Sequence, residues 1–157
     1  LVLADVGFAG PEVSDVHWVY FPDPDVAAYR LHLCHAMSPD LAPPGHGLYC
    51  LEISHSPHRP LPPGPLRERV IADLVRTGWL RSADQVTFYR ERRFSCAYVL
   101  PRVGFREHAA VVREYLRQHD ILSIGRFGDW KYANMEDALA DGRRAAEVLI
   151  PAEARPR

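Results

Sequence analysis

The hydrophobic period of this chain changes partway along it, and that change limits the folds open to it. Tyr29, Leu31 and Leu33 alternate with Arg30, His32 and Cys34, the period-2 spacing of a strand with one face on a core. From Leu66 onward apolar residues recur at Leu66, Val70, Ile71, Leu74 and Val75, which is the stripe of a helix. Strand-like runs come first, over residues 1–8, 17–21, 29–34 and 48–54. Two short ones follow at 85–90 and 96–100, around the charged Arg90-Glu91-Arg92-Arg93, and a last one at 121–124. Helical spacing covers 66–77, 105–119 and 135–149. Strands first and helices later predict an α+β fold, a mostly antiparallel sheet covered by about three helices, rather than a wound parallel sheet.

Punctuation sharpens these boundaries. Eight of the fourteen prolines fall between Pro39 and Pro65, and the segment 55–65 is too proline-rich for a helix or a central strand. Pro65 opens the 66–77 helix and Gly78 closes it, as expected from their backbone preferences. Asn134 is a good N-cap for 135–149, with Glu136 and Asp137 in the first turn where acidic groups favour a helix start. Its expected inward stripe runs Met135, Ala138, Leu139, Gly142, Ala145, Ala146, Leu149, and that of 105–119 runs Ala109, Val112, Tyr115, Leu116. Pro151 ends the last helix, so 1–150 reads as a single domain and 151–157 as a flexible tail.

The charge balance excludes some partners. Nineteen Lys plus Arg against twenty Asp plus Glu give a formal charge of -1, no electrostatic footprint for nucleic acid or an anionic membrane. No apolar run approaches the ~20 residues of a membrane span. Cys34, Cys50 and Cys96 form an odd set with no C-x-x-C pair, which favours a reduced, cytoplasmic compartment. The chain begins at Leu1 with a strand under way and reads as a fragment or processed product.

Chemistry concentrates in residues 124–137, IGRFGDWKYANMED. Gly125 and Gly128 allow close backbone approach to a ligand. The free N–H groups of the helix start favour a partly negative group. Trp130 and Tyr132 can flank a planar ring, and Arg126 can pair with a phosphate or carboxylate. Lys131 is the single lysine beside eighteen arginines. An ordinary strand–turn–helix with its aromatics in a core accounts for the same residues. Elsewhere the signals are weaker. His32-Leu33-Cys34-His35 and His55-Ser56-Pro57-His58 lack any zinc-site spacing, and no carboxylate is evident beside them, so no metal is expected. Ser38, Ser54 and Ser56 have no G-x-S-x-G setting. Arg90-Glu91-Arg92-Arg93 reads as a solvated strand end, with gripping of an anionic substrate the sharper alternative.

Gly125-Arg126-Phe127-Gly128-Asp129-Trp130-Lys131-Tyr132-Ala133-Asn134-Met135, followed by Gly142-Arg143-Arg144-Ala145-Ala146, resembles the C-terminal flavin-contacting segment of FAD-dependent amine oxidoreductases. The branch it is most similar to is that of UDP-galactopyranose mutase and protoporphyrinogen oxidase-like enzymes. His17-Trp18-Val19-Tyr20-Phe21-Pro22-Asp23-Pro24-Asp25 with Tyr29-Arg30, and Ala42-Pro43-Pro44-Gly45 leading into Leu48–Ile53, are similar to strands of that branch's substrate domain. The resemblance implies FAD as cofactor and contacts to it from Gly125, Arg126, Tyr132, Asn134 and Met135, with Trp130 lining the ring or the substrate side. It implies that the helix start stabilises negative charge on the reduced flavin edge, and that Tyr20 or Arg30 faces substrate. The Rossmann half with its G-x-G-x-x-G turn is missing: Gly45-His46-Gly47 precedes a strand and Gly7-Phe8-Ala9-Gly10 is misspaced. The expectation is therefore a C-terminal fragment or subunit of an FAD-dependent oxidoreductase that is not catalytic alone and does not hold FAD tightly. Its expected partner is the missing FAD-binding half or another subunit, with homo-oligomerisation also open. The alternative is a non-catalytic α+β binding module that has lost the cofactor.

Overall fold

The computed structural model describes residues 1–11 and 13–150, so the expected tail 151–157 lies outside the described residues. Five strands, β1 (Val2–Ala9), β2 (Trp18–Tyr20), β3 (Arg30–Leu33), β4 (His46–Ile53) and β5 (Val86–Arg93), form one sheet in the order β2-β3-β4-β1-β5. Every neighbouring pair is antiparallel. The helices are α1 (Cys34–Met37), α2 (Leu66–Arg76), α3 (Phe105–Gln118), α4 (Gly125–Gly128) and α5 (Met135–Leu149). The α+β architecture expected from the order of elements is the one observed. The chain divides into two compact units, Leu1–Ser95 with the sheet, α1 and α2, and a second from Cys96 with α3, α4 and α5. Among the described residues no helix is long and apolar enough to cross a membrane.

Alternation decides which face of the sheet is dry. Val2, Ala4, Val6 and Phe8 of β1, Leu31 and Leu33 of β3, and Tyr49, Leu51 and Ile53 of β4 join Leu66, Val70 and Leu74 of α2 in one buried cluster. Burying such side chains stabilises the unit by about 1.5–3 kcal/mol each against leaving them in water. A Schellman cap ends α2: Gly78, at φ +82°, donates to Val75 at 3.1 Å, and Trp79 donates to Leu74 at 2.8 Å. Trp79 then accepts from the Tyr49 hydroxyl at 3.1 Å, fastening the helix end to the sheet.

Phe8 stacks on Tyr49 with ring centroids 4.4 Å apart, and this is possible only because residue 47 is glycine. A Cβ there would stand 2.2 Å from the Phe8 ring, and Phe8 is 1% exposed with nowhere to move. Gly47→Ala is therefore expected to lower stability by about 1–3 kcal/mol, the usual cost of overpacking. A urea unfolding midpoint unchanged in the variant would contradict this.

Several expectations need correction. β5 runs on past residue 90, so that the charged run Arg90–Arg93 forms its exposed end, where Arg90 and Arg92 share a face that meets Asp5 of β1. Residues 96–100 take no place in the sheet: β5 ends at Arg93, and Tyr98 instead packs its ring against Arg126. Residues 121–124 are not a strand either. The Ile121 N–H closes the end of α3 on the Leu116 carbonyl at 2.9 Å, after Asp120 takes a left-handed φ of +56°. Residue 34 opens α1 rather than extending β3. The expected inward stripes of α3 and α5 are largely exposed, with Val112, Tyr115, Leu139 and Leu149 all facing out and Met135 86% exposed. The buried positions on these helices are Ala109 and Asp141.

Candidate functional site

Residues 124–137 fold as a single helical turn, a link and a capped helix. Asn134 is extended, its side chain accepts the Asp137 N–H at 3.0 Å, and the Asp137 side chain accepts the Asn134 N–H at 2.9 Å. This reciprocal box fixes where α5 begins and leaves Met135 at its first turn, exposed. Asn134→Ala is expected to lower stability by about 0.5–2 kcal/mol, measurable as a lower melting temperature, whereas Asn134→Ser should retain most of it.

Gly125 opens α4 at φ +82° and Trp130 follows it at φ +48°. Left-handed backbone costs an L side chain of this size free energy, so Trp130 marks a strained position. Trp130 lies 6.3 Å from the Phe127 ring and is 38% exposed, and Tyr132 is 72% exposed. Between these glycine and aromatic positions sits Arg126. Its guanidinium lies 4.7 Å from the centre of the Tyr98 ring and 5.2 Å from that of Tyr132. Its Nε and Nη2 are buried and meet no hydrogen-bond acceptor among the described residues. Donors buried without an acceptor are costly, so this arrangement suits an anion that supplies the missing acceptors. Of the residues read from the sequence, the fold brings Gly125, Arg126 and Tyr132 together, and it starts α5 at Asn134 and Met135. Tyr98 was not anticipated.

A second polar constellation occupies the face of the sheet opposite α2. Register sets it out in two rows. In one, Trp18, His32, Cys50, Asp5 and Arg90 lie opposite one another across β2, β3, β4, β1 and β5. In the other stand Tyr20, Arg30, Glu52, Leu3 and Arg92. Glu52, 7% exposed, accepts from the Tyr29 hydroxyl, from Arg30 Nε at 3.1 Å and meets His32 Nε2 at 2.9 Å. Arg30 also donates to the Tyr20 hydroxyl at 3.2 Å. Asp5 takes Arg90 at 2.8 Å and Arg92 at 2.9 Å.

Electrostatics follow from these contacts. Burial alone would raise the Glu52 carboxyl, but Tyr29, Arg30 and His32 outweigh it and hold it below the usual carboxylate value. The same balance holds Asp5 down, burial being outweighed by Arg90 and Arg92. Burial, then the hydrogen bond to Asp5, pushes the Cys50 thiol up to about 12, which leaves it protonated and inert. Three guanidiniums, those of Arg30, Arg90 and Arg92, lie on this face with the His32 imidazole and the Tyr20 phenol ring. Neither carboxylate was anticipated; each is a lone acid inside an otherwise apolar strand run, at Leu1–Phe8 and Leu48–Ile53. Among the described residues no group of three or more His, Cys, Asp or Glu side chains could hold a metal ion.

An antiparallel α+β unit with one polar sheet face, followed by a Gly-Arg turn and a capped helix, thus defines the chain. Its likeness to known proteins is structural. No family model matches the chain. A crystal structure of reduced UDP-galactopyranose mutase matches 94% of it with a TM-score of 0.83 and 26% sequence identity. The chain spans 33% of that structure's chain, so it is similar to about a third of the mutase.

Proposed function

We propose that this chain is the C-terminal portion, or a separately encoded subunit, of an FAD-dependent oxidoreductase of the amine oxidase-like class, and that the Gly125–Met135 segment meets the flavin nucleotide. The observation that carries this reading is Arg126, a guanidinium between two tyrosine rings with two buried, uncommitted N–H groups. The likeness to a third of a UDP-galactopyranose mutase supports it, as does the Gly-Arg turn beside a capped helix start.

The residues fit such a cofactor. Arg126 would donate to a phosphate oxygen, Gly125 would admit close backbone approach, and the start of α5 at Asn134 and Met135 would favour negative charge. Tyr132 and Trp130 would offer apolar ring surface. When bound, the flavin supplies the electron-accepting chemistry; the residues here bind, orient and exclude water. Arg30, held by Glu52 and Tyr20, would take the anionic part of a substrate, in keeping with a neighbour named for a nucleoside diphosphate sugar. The flavin-binding half would cover the exposed Phe127, Trp130, Tyr132 and Leu139, since large exposed apolar patches mark interfaces.

Arg126→Ala tests the reading. In the protein assembled with its flavin-binding half, losing charge-assisted hydrogen bonds of about 1.5–3 kcal/mol should weaken FAD binding by about tenfold to a hundredfold, followed by flavin fluorescence. An Arg126→Ala protein that binds FAD as tightly as its parent would exclude it.

A further inference from the structure

Asp141 lies in mid-helix on α5, away from the capping box that starts the helix, and is 3% exposed. A carboxylate buried so far requires donors, and three reach it. The Gly125 N–H donates at 3.2 Å, the Lys131 ammonium at 2.8 Å, and the Arg144 guanidinium from the next turn of the helix. Two of the three come from the turn that carries Arg126, one from just before it and one five residues after it. Lys131 reinforces this grip: its backbone N–H donates to the Arg126 carbonyl at 3.0 Å, and its ammonium also meets Asp129 at 3.1 Å.

Within its own turn Gly125 accepts from the Asp129 N–H at 2.9 Å, and Asp141 is what ties it to α5. Its backbone is left-handed, and no atom lies within 4 Å of where a Cβ would stand, so side-chain packing does not set its position. The lysine is also singular in kind. In a chain with eighteen arginines it is the single lysine, and a compact ammonium suits a place between the Asp129 and Asp141 carboxylates better than a planar fork does. Hydrogen bonding from Lys131 also holds the Asp141 carboxyl below its usual range, so it is charged near neutrality.

We propose that Asp141 is a positioning residue: by tying Gly125 and Lys131 to α5, it holds the Arg126 guanidinium between Tyr98 and Tyr132 with two N–H groups ready for an anion. That this anion is a flavin phosphate rests on the function proposed above; the positioning itself does not. A merely structural role for Asp141 would alter stability and leave the Arg126 environment in the folded protein unchanged.

Nuclear magnetic resonance of this chain separates the two. Stacked rings shift the Arg126 Nε–H signal away from those of the other arginines, and carbon-13 dimethylation of the single lysine gives one side-chain signal to titrate. In Asp141→Ala the Arg126 shift should collapse toward the common arginine position, and the Gly125 amide should exchange at least tenfold faster. In Asp141→Asn, where an amide oxygen still accepts from Gly125, that amide should stay protected. Lys131 should nevertheless titrate at lower pH and the Arg126 shift should shrink. If Asp141→Ala does not fold, the Asp141→Asn pair of readings decides alone. A folded variant in which the Arg126 shift and the Lys131 titration both match the parent overturns the proposal. Should the assembled parent protein fail to bind FAD, the flavin reading falls while these signals still decide the role of Asp141.

Discussion

FAD titrated into this chain by itself is expected to show no saturation in the micromolar range. Arg126 offers two uncommitted N–H groups, worth about 1.5–3 kcal/mol each toward a charged oxygen. The exposed helix start adds about 0.3–1 kcal/mol. Association costs at least about 4 kcal/mol in lost freedom of motion. What is left is at most about 3 kcal/mol, a dissociation constant weaker than about 1 mM. A flavin-binding half supplied as a second chain would bring a glycine turn and helix start for the pyrophosphate. Binding should then tighten by about a thousandfold or more, a gain of roughly 4 kcal/mol. Titration of the lone chain and of the mixture, followed by flavin fluorescence, measures both. Submicromolar binding by the chain alone would place its ligand contacts somewhere other than residues 125–135.

The second large effect is expected at Glu52. Three side chains, Tyr29, Arg30 and His32, converge on this buried carboxylate, and breaking a buried charged network from one side costs about 3–5 kcal/mol. Glu52→Ala should therefore lower stability by about that amount. Its pH dependence has a definite sign. Glu52 and Asp5 are both held below their ordinary carboxylate values in the folded chain. In the unfolded chain they take up protons near pH 4, before the folded chain does. Their contribution is thus present above about pH 4 and is lost as pH falls further through the folded values. Urea midpoints from pH 7 down to pH 2 should fall steeply in the parent and less steeply in Glu52→Gln. Equal slopes in the two proteins, or a parent that gains stability on acidification, would contradict this account.

How much was readable from the residues varies with the range of the interaction. The start of α5 at Asn134 was legible because capping is local: donor and acceptor lie three residues apart. Alternation named the two faces of β3 correctly over Arg30–Leu33, but not at its ends, where Tyr29 reaches Glu52 and Cys34 opens α1. The side-chain period is a property of one strand. Register is not. Glu52 and Arg30 meet across 22 residues and Asp5 and Arg90 across 85, so the polar rows stayed hidden although each lone acid was visible. Tyr98 was misplaced in a strand for the same reason, its contact being with Arg126, 28 positions further on by number. The apolar stripe of α5 was read as inward because periodicity reports amphipathicity and says nothing about what covers it. Residues 121–124 had strand-like composition, but their first N–H serves a helix end.

In the order β2-β3-β4-β1-β5, β5 is an edge strand of the sheet among the described residues, and an edge strand is a template on which a second chain can add. Its last four residues, Arg90, Glu91, Arg92 and Arg93, make that addition unfavourable, because a copy pairing there would bring a dense row of like guanidiniums against its own. The arginines that neutralise Asp5 inside the sheet therefore also guard its border against edge-to-edge growth, and replacing Arg92 and Arg93 with threonine should make fibrillar aggregation the first sign of damage.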